Sequence, residues 1–259
     1  MAAEFTFSVT ENRAAIIGEL RRLLPRLEGF SRPLPFGLAA LDSHLPEGGL
    51  TCGGLHEVVP ETEAASASAF GFIVAALGRL PKTRPLVCVM PAYGRRPAGR
   101  LHGHGLNALG LDPARLILVE TAQRKETLWA IEEALHSAAP AAVIGAIDKL
   151  DLRTSQRLQL AATDTGLPLF LLRPAPTLES SAAATRWRIG TAEAARDRFG
   201  LIVRPRWHLH LERCRNGRPG QWVVEYDHVA HRFSLSAAMA DPAHAGGAGE
   251  EPQRTSRCA

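Results

Sequence analysis

The chain has 259 residues, of which 46% are hydrophobic and 22% charged, enough to bury the core of one large domain or of one domain with small additions. Its formal net charge of +4 is too small to demand a nucleic-acid partner, and no apolar run is long enough to predict a transmembrane helix. Residues 1–17 lack the basic and apolar regions of a secretory signal, so we expect a cytoplasmic protein without a membrane partner.

The arginine-rich composition has two explanations, and the cysteine spacing predicts no disulfides. Only three of the 30 basic residues are lysines, a bias that either a GC-rich genome or a need for bidentate contacts to phosphate or carboxylate produces. The four cysteines form no C-x-x-C pair and predict no disulfide framework.

The N-terminal residues 1–28 are predicted to carry a short amphipathic helix over 11–28. Its apolar face includes Ile16, Leu20, Leu23 and Leu27, at helical spacing. Such a helix either packs on its own domain or docks on a partner subunit.

The next part of the chain alternates between strand and helix patterns. Residues 29–56 predict loops and short extended pieces. Strands are predicted at 55–59, 85–90, 116–119, 141–147 and 167–172, and helices at 69–80, 101–110, 126–137 and 154–165. This alternation predicts an α/β fold whose mostly parallel sheet has helices on both faces.

After residue 173 the pattern changes to β structure. Residues 185–189 read as a strand with Trp187 in the core, or as a loop whose aromatic ring stacks on bases, and we favour the core. Strands are also predicted at 206–213 and 221–226, joined by a turn with the hairpin signal Asn216-Gly217. We assign 29–175 to the core, 176–236 to its β-rich extension and 237–259 to a disordered tail.

Several motifs carry a resemblance to a known family. They are a G-L-x-x-L-D segment at 37–42, G-G-L at 48–50 and a G-x-x-H-E-V strand at 53–58. With the segments at 150–162, 182–189 and 204–227, they resemble the nucleotide-binding core of RecA and, more closely, the RecA-related ImuA family, over roughly residues 29–236. The resemblance implies a RecA-like, P-loop-type sheet with a C-terminal β hairpin.

The loop after the first core strand departs from the phosphate-loop pattern. A Walker A motif needs two glycines, a lysine for the phosphate charge and a hydroxyl for Mg²⁺. The residues at those positions are, in order, Val59, Ala64, Ala65 and Ser66. Only the hydroxyl is kept, and Glu61 and Glu63 add negative charge where a triphosphate would lie. We therefore expect no nucleotide cofactor.

Two further catalytic positions of RecA-type enzymes are also changed. By resemblance, Met90 and the residues after it stand where a glutamate would position the attacking water, and Gly145 or Ala146 stands where the Walker B aspartate would be. Asp148 is nearby, but we predict that it caps the next helix. No catalytic residue is therefore expected, and we predict that the protein is not an enzyme.

Arginines and histidines supply the remaining candidate sites. The 93–104 loop is either a solvated basic loop or a contact with DNA phosphate or an acidic partner. By resemblance, the 173–188 region corresponds to the part of RecA that holds single-stranded DNA. The arginines of these two candidate sites are Arg95, Arg96, Arg100, Arg173, Arg186 and Arg188. His208 and His210 with Cys214 do not match a zinc spacing, so we predict no metal.

The resemblance implies a function as well as a fold. It implies a non-hydrolysing adaptor in SOS-induced translesion synthesis and mutagenesis, cytoplasmic and nucleoid-associated when acting. The implied partners are an ImuB-like protein, an error-prone DNA polymerase and RecA, with single-stranded DNA as a further candidate. The alternatives are a DNA-dependent ATPase or recombinase, and a SulA-type inhibitor of cell division, against which the length of the chain argues.

Overall fold

The computed structural model describes residues 33–92, 100–175, 179–196 and 198–236. The predicted helix with Ile16, Leu20, Leu23 and Leu27 and the predicted tail at 237–259 lie outside these residues. Among the described residues, no helix is long and apolar enough to cross a membrane.

Nine strands and five α-helices make up the described part of the chain. The strands are β1 Leu55–Pro60, β2 Leu86–Pro91, β3 Leu116–Thr121, β4 Ala142–Ala146, β5 Leu169–Leu172, β6 Thr185–Arg196, β7 Ile202–Cys214, β8 Gly220–Asp227 and β9 Arg232–Leu235. The helices are α1 Ala39–Asp42, α2 Ser66–Leu77, α3 Gly103–Ala108, α4 Arg124–His136 and α5 Leu152–Thr165.

All nine strands belong to one sheet, in the order β3-β2-β4-β5-β1-β6-β7-β8-β9. The pairs from β3 to β6 are parallel, and the pairs from β6 to β9 are antiparallel. The predicted α/β class with a mostly parallel sheet is confirmed, and this architecture is compatible with a RecA-like fold.

The inner parallel strands β1, β2, β4 and β5 are mostly apolar because helices cover both faces of the sheet. Alternate residues of one strand face opposite sides. Ile144 and Phe170 face the core that contains α2, whereas Val143 and Leu169 face the core beneath α4 and α5.

The antiparallel strands are covered on one face only. Trp187, Trp207, Tyr226 and Phe233 of β6 to β9 pack into the same core as Phe72 of α2. Trp187 is fully buried, so the predicted core position of this residue is confirmed. The opposite face of these strands is polar, and no helix in the described part of the chain covers it.

The segment before β1 differs from the sequence prediction. Loops were expected at 29–56, but the described part of this segment includes the helix α1. The carboxylate of Asp42 explains the turn, since it accepts the N–H groups of Phe36 at 2.7 Å and Leu38 at 2.9 Å. An apolar pattern four residues long is too short to distinguish a helical turn from a loop.

Candidate functional site

The connection between β1 and α2 joins a strand to a helix, which is the order in which a phosphate loop occurs. β1 continues to Pro60, with Val59 opposite Arg188 and Pro60 opposite Ile189. The N–H of Glu61 then donates to the carbonyl of Ile189 at 2.8 Å. The backbone therefore remains extended at Val59, the residue at which a phosphate loop would begin to curl.

The turn itself has no glycine-like backbone. Within 55–66, all of which the structure describes, no residue has a positive φ, and a 3₁₀ turn at Glu63–Ala65 leads directly into α2. A phosphate loop curls so that successive N–H groups point at one anion, and glycines allow that curl. The observed turn lacks this shape.

Ala65 and Ser66, which the resemblance aligns with the Walker lysine and hydroxyl, lie at the start of α2. Ala65 is only 3% exposed, so a long charged side chain there would have to leave a packed environment. The Ser66 hydroxyl donates to the carbonyl of Glu63 at 2.6 Å. The hydroxyl proton therefore closes the first turn of the helix.

Glu61 places a carboxylate beside this turn. Its Oε2 lies so close to Gly190 that a Cβ on that glycine would be 2.0 Å away. Both residues line a cavity of about 480 Å³ on the polar face of the sheet, together with Arg188, His208 and His210. The carboxylate therefore lies on the side of the sheet that faces away from the core containing α2.

Gly145 and Met90, the two other positions that the RecA resemblance singles out, both lie in packed parts of the sheet. A Cβ on Gly145 would lie 2.4 Å from Cδ1 of Ile131 on α4, so an aspartate fits there only if the buried side chain of Ile131 moves. Met90 is half-buried and pairs with Glu120 on the neighbouring strand β3. Neither position presents a carboxylate to a nucleotide.

The predicted helix cap at Asp148 is wrong. Asp151 caps α5, and its carboxylate accepts the N–H of Thr154 at 2.8 Å. Asp148 instead accepts the N–H of Lys149 at 2.8 Å and lies 3.8 Å from Arg124. The helix begins at Leu152, directly after Asp151, so Asp148 lies three residues too early in the chain to be its cap.

Two of the candidate arginines form a buried cluster. The side chain of Arg173 is 1% exposed and pairs with Glu179, whose pKa is lowered by the N–H of Leu150 and then by Arg173. Arg186 lies 2.7 Å from the carboxylate of Glu57 and also donates to the carbonyl of Glu179 at 2.6 Å. Both guanidinium groups therefore support the fold.

The other candidate arginines lie apart from this cluster. Arg188 pairs with Glu212 at 2.5 Å on the polar face of the sheet. Arg100 is exposed shortly before α3, and Arg95 and Arg96 lie outside the described residues. A contact of any of these arginines with DNA or a partner stays a prediction.

A buried hydrogen-bond network beside β1 was missed from the sequence. Trp187 Nε1 donates to Thr185 Oγ1 at 2.9 Å, and this hydroxyl lies 2.8 Å from His56 Nδ1. His56 Nε2 lies 2.9 Å from the carbonyl of Thr51 and must donate to it, because a carbonyl only accepts. Burial lowers the pKa of His56 to about 4 from 6.5, so the ring is neutral.

The sequence does contain a signal for these buried groups. His56 and Glu57 interrupt the otherwise apolar run of β1, and both are at most 1% exposed. A charged residue inside a buried strand predicts a paired charge elsewhere. The partners could not be chosen, since Ser181 and Arg186 are more than a hundred positions away in the chain.

The histidines of β7 occupy the polar face. His208 and His210 alternate with buried residues, as their spacing predicts. Within the described ranges, no group of three or more histidine, cysteine, aspartate or glutamate side chains is arranged to hold a metal ion.

Comparison with known proteins identifies the family. No family model matches the chain. The proteins named Protein ImuA in two Caulobacter vibrioides strains, NA1000 / CB15N and ATCC 19089 / CIP 103742 / CB 15, are each 36% identical to it over 228 residues, which cover 80% of this chain and 90% of the relative. Similarity of this extent, on a fold compatible with RecA, shows that the chain belongs to the ImuA family.

Proposed function

We propose that this protein is a non-hydrolysing RecA-like adaptor that acts in SOS-induced translesion synthesis and mutagenesis. The observation that carries the proposal is the geometry of the 59–66 connection. The backbone is extended at Val59, the lysine position is a buried alanine, and the Ser66 hydroxyl is bonded to the carbonyl of Glu63.

Three separate positions support the loss of hydrolysis. The phosphate loop, the position of the water-activating glutamate and the Walker B position each lack the side chain that the chemistry needs. A single substitution is compatible with weak nucleotide binding, but the three together favour a frame that acts through protein contacts. We infer that the protein works by holding partners together.

The proposed partners are an ImuB-like protein, an error-prone DNA polymerase and RecA, with single-stranded DNA as a further candidate. Co-purification of the full-length chain with the purified ImuB-like protein and with RecA tests this. We expect stable recovery of at least one of them. Recovery of the tubulin-like division GTPase, with neither of these proteins, would contradict the proposal.

The choice of truncation matters for that experiment. Removing everything from residue 204 would delete β8, β9 and nearly all of β7, including the core residues Trp207, Tyr226 and Phe233, and would unfold the protein. Removing only 237–259 leaves all nine strands in place. The shorter deletion therefore separates a role of the tail from loss of the fold.

A further inference from the structure

Strands β6 and β7 extend beyond the strands that flank them. β1 pairs with β6 over 185–189, and β8 pairs with β7 over 206–211. Beyond these ranges the two strands continue as a pair, with Ala195 opposite Arg204 and Arg196 opposite Ile202. At about 3.3 Å per residue, this ribbon projects on the order of 10–15 Å.

The ribbon leaves the sheet at a functionally relevant edge. β6 runs parallel to β1, so its far end points past the carboxyl ends of the parallel strands. The 59–66 connection lies at this same edge. In open α/β sheets, this edge is where ligands bind.

The end of the ribbon is apolar and exposed. Phe199 is 71% exposed, Leu201 65%, Ile202 62% and Val203 43%, and Gly200 makes the turn between them with φ 79°. Along the sequence, the other exposed large apolar side chains in the described parts of the chain occur singly or as one adjacent pair. A cluster of this kind marks an interaction site rather than ordinary surface.

Guanidinium groups border this apolar cluster. Arg196 donates to the carbonyl of Gly200 at 2.7 Å, and the guanidinium carbon of Arg198 lies 4.7 Å from the centre of the Phe199 ring. Arg204 is neutralised by two carboxylates of β8 at 2.9 and 3.1 Å. A surface that covers the cluster therefore needs acceptors for the N–H groups of Arg198, whose contact is with the Phe199 ring.

We propose that the ribbon tip, residues 198–203, inserts into an apolar pocket on a partner protein whose rim carries carboxylates. This inference rests on the proposed adaptor function and names the surface that performs it. Nucleic acid fits less well, because Phe199 is the one aromatic ring of the tip, the other three exposed apolar side chains are aliphatic, and Arg204 is already paired.

Substitutions at the tip test the proposal in the full-length chain. The double variant Phe199→Ser/Ile202→Ser is compared with Leu160→Ser, whose leucine is 62% exposed on α5, like Ile202. Affinities for the purified ImuB-like protein and for purified RecA are measured by calorimetry. We expect the tip variant to bind one of them at least tenfold more weakly, while Leu160→Ser matches the wild type.

A charge reversal tests the acidic rim. Arg198→Glu should weaken the same complex at least tenfold and reduce its dependence on salt, because a carboxylate would then face carboxylates. Thermal midpoints of all these variants should equal that of the wild type, since the tip packs outside the core. An unfolded variant would be identified by this measurement and replaced by Phe199→Leu/Ile202→Thr.

Several outcomes would overturn the inference. Equal binding by the tip variant and the wild type would do so, as would equal weakening by Leu160→Ser. Loss of self-association or of single-stranded DNA binding, with both protein complexes intact, would assign the tip to another partner. If the wild type binds neither protein, the proposed function fails and the inference fails with it.

Discussion

Glu57 shows how one charged residue organises the region beside the candidate loop. Its Oε2 accepts from the hydroxyl of Ser181 at 2.8 Å and from Arg186 at 2.7 Å, and the residue is 1% exposed. A buried charge is tolerated only when it is paired. This pair joins β1 to β6 and fixes the segment that leads into β6.

Removing one partner of this pair should be costly. We expect Glu57→Gln to lower the free energy of unfolding by about 3–5 kcal/mol, because it leaves the charge of Arg186 without its carboxylate. Urea unfolding measures the change. Glu132→Gln is the control: it breaks the pair with Arg157, whose side chain is 63% exposed, and should cost less than about 1 kcal/mol. Equal losses in the two variants would show that the Glu57 pair contributes no more than a surface pair.

His56 predicts a specific pH dependence of stability. Burial holds its pKa at about 4 in the folded protein, against 6.5 for the free side chain. Between pH 6.5 and about pH 4, His56 binds a proton in the unfolded chain but stays neutral in the folded chain. The free energy of unfolding therefore falls as the pH drops through this window, by on the order of 3 kcal/mol.

The variant His56→Gln isolates this contribution. It cannot titrate, so its free energy of unfolding should change less between pH 6.5 and pH 4 than that of the wild type. Urea unfolding across the window gives both slopes. Parallel curves for the wild type and His56→Gln would contradict a neutral buried imidazole.

At the scale of elements, the sequence predicted the order of strands and helices from 55 to 172. It did so because the parallel strands are apolar runs and the helices end at recognisable residues. α5 ends at Thr165, and Gly166 follows in the left-handed region with φ 68°. The ends of β6 and β7 could not be predicted, since the projecting ribbon lacks the alternation that a covered face imposes.

Replacing Gly166 and Gly105 by alanine should have opposite effects on stability. Gly166→Ala should destabilise the protein by about 1 kcal/mol, because a Cβ is strained at positive φ. Gly105 lies inside α3 with open space around it, so Gly105→Ala should stabilise by roughly 0.5–1 kcal/mol. Thermal denaturation distinguishes the two. Shifts of the same sign would contradict the assigned backbone geometry.

At the scale of the molecule, one sheet connects the parallel core to the antiparallel strands. β6 joins the two parts through β1, and one core continues beneath both, from Phe72 to Phe233. The α/β class was predictable from alternation along the chain. The continuity of the sheet was not, because pairing between β1 and β6 joins residues more than a hundred positions apart.

The candidate site was predictable only in part. The losses that we propose at Val59, Ala64 and Ala65 follow from the sequence once the RecA pattern is laid on it. The buried pairs of Arg173 and Arg186 were not, since a sequence does not distinguish an exposed arginine from one that neutralises a buried carboxylate. Arg173 and Arg186 are therefore weaker candidates for partner contacts than the exposed ribbon tip.

ATP hydrolysis in the presence of single-stranded DNA tests the central claim most directly. The full-length protein and its Ser66→Ala variant are assayed with radiolabelled ATP, and RecA serves as the active control. We predict that neither protein exceeds the protein-free background, because the 59–66 connection lacks the lysine and the curled backbone that hold a triphosphate. DNA-dependent turnover by the wild type that disappears in Ser66→Ala would contradict the account.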